Sequence, residues 1–341
     1  MLTTLTNHCR SGKELSNEAC VEAVEALFDP NTLDSDRELF LLALSEKGET
    51  PAELAGFVQT LLPKASDPGI VGNFKGRPLF DCCGTGGGGL DLINVSTALM
   101  FILAALEVPV VKHGNRGVTK KSGSADVLEE WAGTLDTDPK NVIPELGRAG
   151  MAFCFAPAFH PSFKHIAPVR KALGAQGKRT IFNLLGPLLN PCRPDTQMIG
   201  VFRKEHIELF SESLSLLERQ RFLILFGEDQ NQRPIGEVSS FGSSILVGKL
   251  DGRQVRHELQ READATLNEF LVSSATESAK RLQSVFNGED TSHLRDLLLL
   301  NAGVGLYVNG VAESIEQGEK QAGEVIDSGG VQRQLEHWLA S

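Results

Sequence analysis

Pro78-Leu79-Phe80-Asp81-Cys82-Cys83-Gly84-Thr85-Gly86-Gly87-Gly88-Gly89 is a short apolar run that dissolves into glycine: five of the six residues from Gly84 have no side chain. Four residues later Asn94-Val95-Ser96-Thr97 opens a longer apolar stretch, 98–106. A short apolar run ending in glycine predicts a buried strand, and a polar cluster ahead of a longer run predicts a helix start. Similar short runs recur at 108–112, 151–156, 198–202 and 221–226, each followed by a helical segment. That alternation predicts a mostly parallel central sheet with flanking helices. Ligands of such sheets sit beyond the carboxyl ends of the strands, so the loops are where chemistry is sought.

The sequence on either side has a different texture. Residues 1–70 read as helix after helix. Ser16 or Asn17 can cap a run with Ala19, Val21, Val24 and Leu27 inward, and Ser35 can cap 39–44. Thr50-Pro51-Ala52-Glu53 combines an N-cap threonine, a proline at the first helical position and a capping-box glutamate. Asp67-Pro68-Gly69 then breaks the pattern. Residues 243–259 read as two strands joined at Asp251-Gly252, a favoured hairpin turn, and the chain is helical again from Ser273. The expected architecture is α/β: a small all-helical domain, 1–70, beside a large α/β domain, 71–341.

At 341 residues the chain can bury a large core. Its 33 Lys and Arg against 44 Asp and Glu give a formal net charge of −11, so any patch that attracts phosphate must be local. General nucleic-acid binding is disfavoured by that balance and by the lack of an interleaved aromatic stripe. The six cysteines form no C-x-x-C pair, which points to reduced thiols rather than zinc or a disulfide framework. The N-terminus lacks a secretory pattern and residues 98–106 are too few to span a bilayer, so a cytoplasmic protein is expected.

In the loop from Gly84 to Gly89, backbone N–H groups can close on an anion because no side chain projects into its space. The spacing is neither a dinucleotide fingerprint nor a Walker loop. Glycines alone fit a flexible turn equally well. Asn94 to Thr97 would add free N–H donors, hydroxyls and a favourable dipole for phosphate, with ordinary capping by Asn94 or Ser96 as the competing reading. The second run leads into Lys112-His113-Gly114-Asn115-Arg116 and Thr119-Lys120-Lys121-Ser122-Gly123-Ser124. Four cations, Lys112, Arg116, Lys120 and Lys121, lie within ten residues and suggest a polyphosphate cradle.

In this order and spacing the segments resemble the anthranilate phosphoribosyltransferase family, whose G-T-G-G-D loop, N-x-S-T helix start and K-H-G-N-R segment match Gly84 to Gly87, Asn94 to Thr97 and Lys112 to Arg116. Phe155-Ala156-Pro157, His160-Pro161, Val169-Arg170 and Arg179 to Pro187 resemble further family blocks. The resemblance implies that helices near 165–190 complete the helical domain, that PRPP sits in the cleft, and that the chain is a homodimer through its helical domain. It implies PRPP contacts at Gly84, Thr85, Gly87, Gly88, Asn94, Val95, Ser96, Thr97, Lys112, His113, Gly114, Lys120 and Ser124. Gly84, Asn115 and Arg170 would face anthranilate, and Ser96 and Glu237 would hold magnesium.

Some positions depart from the family pattern. Gly88 and Gly236 stand where carboxylates are expected, which leaves one or two magnesium ions as alternatives. Leu92 and Lys120 replace hydroxyl residues, and three extra residues lie between Gly174 and Arg179. The reading is that Ser96 and Glu237 retain one ion and that Lys120 or Lys121 supplies some of the lost charge. Asp91 is read as a surface carboxylate that could substitute as a ligand. Rival readings are a paralogue with another aromatic acceptor or reduced activity, and a non-catalytic nucleic-acid-binding relative.

Overall fold

The computed structural model describes residues 1–86, 88–117 and 121–340. Four helices open the chain: α1 (Leu2–Arg10), α2 (Asn17–Phe28), α3 (Asp34–Lys47) and α4 (Pro51–Leu61). Ser16 Oγ accepts the Ala19 N–H (3.2 Å), as its sequence position predicts. The Thr50 hydroxyl accepts the Glu53 N–H (3.2 Å) and Glu53 accepts the Thr50 N–H (2.9 Å), closing the predicted box. The same fully buried carboxylate accepts from Leu15 N–H and Lys47 Nζ, tying together the α1–α2 loop, α3 and α4. Ser35 does not cap α3. The helix begins two residues earlier than that cap would set it, after Leu33, and its acidic first turn, Asp34 and Asp36, suits the positive helix end.

A two-residue ribbon, β1 (Asn73–Phe74) with β2 (Arg77–Pro78), leads to β3 (Phe80–Gly84), α5 (Val95–Ala105), β4 (Val110–Gly114), α6 (Ser124–Ala132), α7 (Val142–Ala149) and β5 (Met151–Phe155). Next come α8 (Ala156–Phe159), α9 (Ala167–Ala175) and α10 (Phe182–Leu185), then β6 (Thr196–Gly200), α11 (His206–Leu216) and β7 (Arg221–Asp229). The hairpin β8 (Gly242–Leu250) and β9 (Arg253–Gln260) precedes α12 (Ala275–Phe286), α13 (His293–Asn309), α14 (Ile315–Asp327) and α15 (Gly330–Leu339). Asp251 and Gly252 both have positive φ, the backbone a tight hairpin requires.

The sheet order is β5-β4-β3-β6-β7-β8-β9, parallel from β5 to β7 and antiparallel beyond. From β3 the chain steps outward to β4 and β5, then returns to the opposite side of β3 as β6. The order therefore switches between β3 and β6, whose ends Gly84 and Gly200 are in register. A crevice opens outside the carboxyl ends at such a switch.

Strand limits shift by a few residues from the sequence reading, and two of the starts have a clear cause. β4 begins at Val110 rather than 108, because Glu107 has positive φ and Pro109 has no N–H to pair. β6 begins at polar Thr196, whose hydroxyl donates to the Leu79 carbonyl, so pairing and not apolarity sets its start.

Each face of the sheet has its own core. Leu223 and Leu225 pack with α5 and α13, whereas Phe222, Ile224 and Phe226 face the cluster built from α1 to α4. Val169 and Leu173 of α9 and Leu185 of α10 join that second cluster. All six cysteines are free thiols. Among the described residues no helix is long and apolar enough to cross a membrane.

Candidate active site

Beneath the switch point lies a charged floor. Asp81 is fully buried and Lys112 is 1% exposed. Lys112 Nζ donates to the Cys82 carbonyl (2.7 Å) and the Ser96 hydroxyl (3.0 Å). Burial pushes the Asp81 carboxyl upward, and Lys112 with hydrogen bonds from the His113 amide and Gln197 opposes this. One strand end thus supplies a cation that braces the first turn of α5.

His113 Nδ1 faces the Gly186 carbonyl at 3.2 Å, so this nitrogen carries the proton. Its Nε2 is buried without a hydrogen-bond partner among the described residues. Burial first, then His160, lowers its pKa from 6.5 to about 3, so it is neutral. The unfolded chain protonates near the ordinary value. The stability from this neutral burial is therefore intact above pH 6.5 and is lost as pH falls toward 3. His113→Gln is expected to flatten the loss of stability between pH 7 and 4.5 by up to about 1.4 kcal/mol per pH unit, read from urea unfolding curves.

The rim is made of loops. Thr85 donates its N–H to the Gly200 carbonyl (2.9 Å), fixing the glycine loop to the end of β6, while Gly84 is exposed. The 235–239 loop crosses the ends of β6 and β7. A Cβ on Gly200 would meet the Gly236 carbonyl at 1.9 Å, and one on Gly227 the Glu237 carbonyl at 2.0 Å. Asn301 pins the crossing by hydrogen bonds to both backbone groups of Val238. On the other side the Asp126 carboxylate accepts the Gly117 and Gly123 amides, both at 2.8 Å. Ser124 starts α6 just beside Gly114, where a Cβ would approach within 3.3 Å of the serine Cβ.

The N-terminus of α5 is more committed than its sequence suggests. Val95 and Thr97 are buried, and their amides donate to the Ile93 and Asn94 carbonyls. The Asn94 side chain accepts from the Ser122 and Ser278 hydroxyls, bracing the 121–123 segment and α12. Ser96, half-buried, is the position of this segment whose hydroxyl borders the lysine floor.

The three described cations of this cluster are each covered or already paired. Arg116 forms an ion pair with Glu129 and lies 4.7 Å over the Phe155 ring. Lys121 is 3.6 Å from Asp91, which also accepts its amide, so Asp91 braces a loop rather than standing free. Lys112 is beneath the surface. Gly87 and Lys120 lie outside the described residues. Partners well separated in sequence, Glu129 and Asp91, caused this difference.

Magnesium favours hard oxygen donors and keeps several waters, so few protein ligands suffice. Ser96 and Glu237 carry oxygen donors of the kind one such ion would take. The Cys82 thiol donates to the Ser96 carbonyl (3.3 Å), and the Glu237 charge helps raise the same thiol, which burial lifts to about 12. Among the described residues no group of three or more His, Cys, Asp or Glu side chains could hold an ion by itself.

A line of rings leads away from the floor. His113 and His160 are 5.3 Å apart between centroids, His160 and Phe163 5.4 Å, and Phe163 and Phe182 5.7 Å. It ends at Arg170, whose guanidinium lies 5.2 Å over Phe182. Burial lowers the Arg170 pKa, and among the described residues no carboxylate pairs with it. Asn115 is exposed, its side-chain oxygen accepting the Arg116 amide (2.8 Å). Sequence reasoning selected Arg170 but missed Phe163 and Asp126, since their roles are set by packing and no motif marks them.

Residues 76–332 match the α/β-domain model of a glycosyl transferase family, and residues 3–65 match its helical-bundle domain. An anthranilate phosphoribosyltransferase from Methanosarcina acetivorans is 39% identical over 94% of this chain and 84% of its own length. The crystal structure of the enzyme of that name from Thermus thermophilus has 33% identity and a TM-score of 0.88, covering 98% of both chains. The Saccharomyces cerevisiae enzyme, solved in complex with PRPP and magnesium, shares the fold at a TM-score of 0.84 and 23% identity, over 99% of this chain and 97% of that one. This chain belongs to the glycosyl transferase family of helical-bundle plus α/β architecture, among the anthranilate phosphoribosyltransferases.

Proposed function

We propose that the chain transfers the phosphoribosyl group of PRPP to the amine of anthranilate, releasing diphosphate. The observation that carries the reading is Arg170, a guanidinium withdrawn from water with no acid partner among the described residues, at the end of rings that start beside the lysine floor. A planar aromatic acid suits that line: its ring can stack, and its carboxylate can pair bidentately with the guanidinium.

In the reaction the anomeric carbon–oxygen bond to diphosphate breaks, a carbon–nitrogen bond forms, and the amine loses a proton. An oxocarbenium-like transition state calls for support of the leaving group and placement of the amine more than for a strong base. Backbone amides of the glycine loop and Ser124 would bind phosphate oxygens. Lys112 holds the Ser96 hydroxyl in place from below. Ser96 and Glu237 would hold magnesium, which when bound neutralises charge on the leaving diphosphate. Gly84 and Asn115 would border the acceptor. The reading includes a homodimer through the helical unit, supported by exposed Val21, Leu33 and Leu39.

Incubation with PRPP, magnesium and anthranilate is expected to quench anthranilate fluorescence with one diphosphate released per anthranilate consumed. No diphosphate release would reject a transferase. Release with a different arylamine and none with anthranilate would reject the acceptor and favour a paralogue.

A further inference from the structure

Phe202, two residues beyond the end of β6, stands between the two loops that border the switch point. A Cβ built on Gly88 would fall 2.1 Å from Phe202 Cε1 and 2.2 Å from Cδ1. One built on Gly236 would fall 2.6 Å from Cε2 and Cζ. The ring thus presses one edge on each glycine, and both contacts are far inside van der Waals distance for any side chain. These are the two positions at which the family pattern calls for carboxylates. Gly236 also has φ of 74°, a backbone that L side chains rarely adopt. The three residues form one consistent set: a large apolar ring, and a glycine at each of these two positions, where a Cβ would meet that ring.

We propose that Phe202 occupies the position of the second divalent cation, so that this chain binds PRPP with one metal ion, on the Ser96 and Glu237 side. This rests on the reading of the crevice as a PRPP site. A second ion there would be offered a phenyl ring in place of two carboxylates, and hard cations do not exchange water for such a surface. Glycine at 88 and 236 follows from the ring and is not a loss that a single reversion can repair.

Two measurements test this. In crystals grown with PRPP and manganese, anomalous scattering is expected to show one ion per chain, near Ser96 and Glu237. A second ion beside Gly88 or Gly236 overturns the proposal. If PRPP at millimolar concentration fails to bind at all, the site reading itself falls, a different result from two ions. Separately, Gly88→Asp is expected to lower Tm by roughly 5 °C in the native background and by much less in a Phe202→Ala background. Equal losses in both backgrounds would show that the ring is not what the new side chain meets, and would overturn the proposal.

Discussion

Arg170→Ala is expected to raise the KM for anthranilate roughly 10- to 100-fold while leaving the affinity for PRPP nearly unchanged. Hydrogen bonds to a charged group are worth about 1.5–3 kcal/mol, and each 1.4 kcal/mol is tenfold in affinity. Arg170 has the features that put the loss on binding rather than on folding. It rests on Phe182, is partly withdrawn from water, and among the described residues has no acid that its removal would strand. The variant should therefore unfold within about 1 kcal/mol of the native chain. Arg170→Lys restores charge but neither the planar fork nor the stacking, so it should recover only part of the affinity. Steady-state kinetics with each substrate varied in turn checks this. An unchanged KM for anthranilate in the alanine variant would remove the observation on which the acceptor assignment stands.

Local interactions are legible in the amino-acid sequence itself. The Thr50–Glu53 box, the Asp251-Gly252 turn and the glycine break after β3 each depend on a few adjacent residues, and the structure has all three. The strand–helix alternation gave the parallel sheet because periodicity reports burial. What could not be read depends on residues distant in sequence. In sequence Arg116 and Lys121 read as open phosphate ligands; in the fold Glu129 and Asp91 stand beside them. Asn94 looked like a cap or phosphate contact, whereas Ser278, 184 residues away, occupies its side chain. Phe202 carried no motif at all, and its meaning appears only when Gly88 and Gly236 are found at its two edges. The switch between β3 and β6 was equally hidden, since strand order is not a property of any one strand.

Lys112→Met is expected to have the largest effect, because one buried charge serves both the fold and the site. Asp81 lies fully buried below it, its carboxyl raised by burial and held back chiefly by the Lys112 charge. Methionine fills the space but leaves that buried carboxyl without the charge that opposes its burial and the Cys82 carbonyl without its donor, a loss of about 1–3 kcal/mol against folding for a buried acceptor left unmet. It also removes the donor that fixes the Ser96 hydroxyl, so kcat/KM for PRPP should fall by roughly 100-fold or more, as when one preorganised donor is lost. Stability and catalysis separate in the double variant Lys112→Met/Asp81→Asn. A neutral amide at 81 needs no cation and can still accept the His113 N–H, so urea unfolding should return most of the way to the native midpoint. Activity should not return, since Ser96 still lacks its donor. Recovery of both would make Lys112 a counter-ion for Asp81 and nothing more; recovery of neither would place the defect in the carbonyl of Cys82, which the lysine also holds.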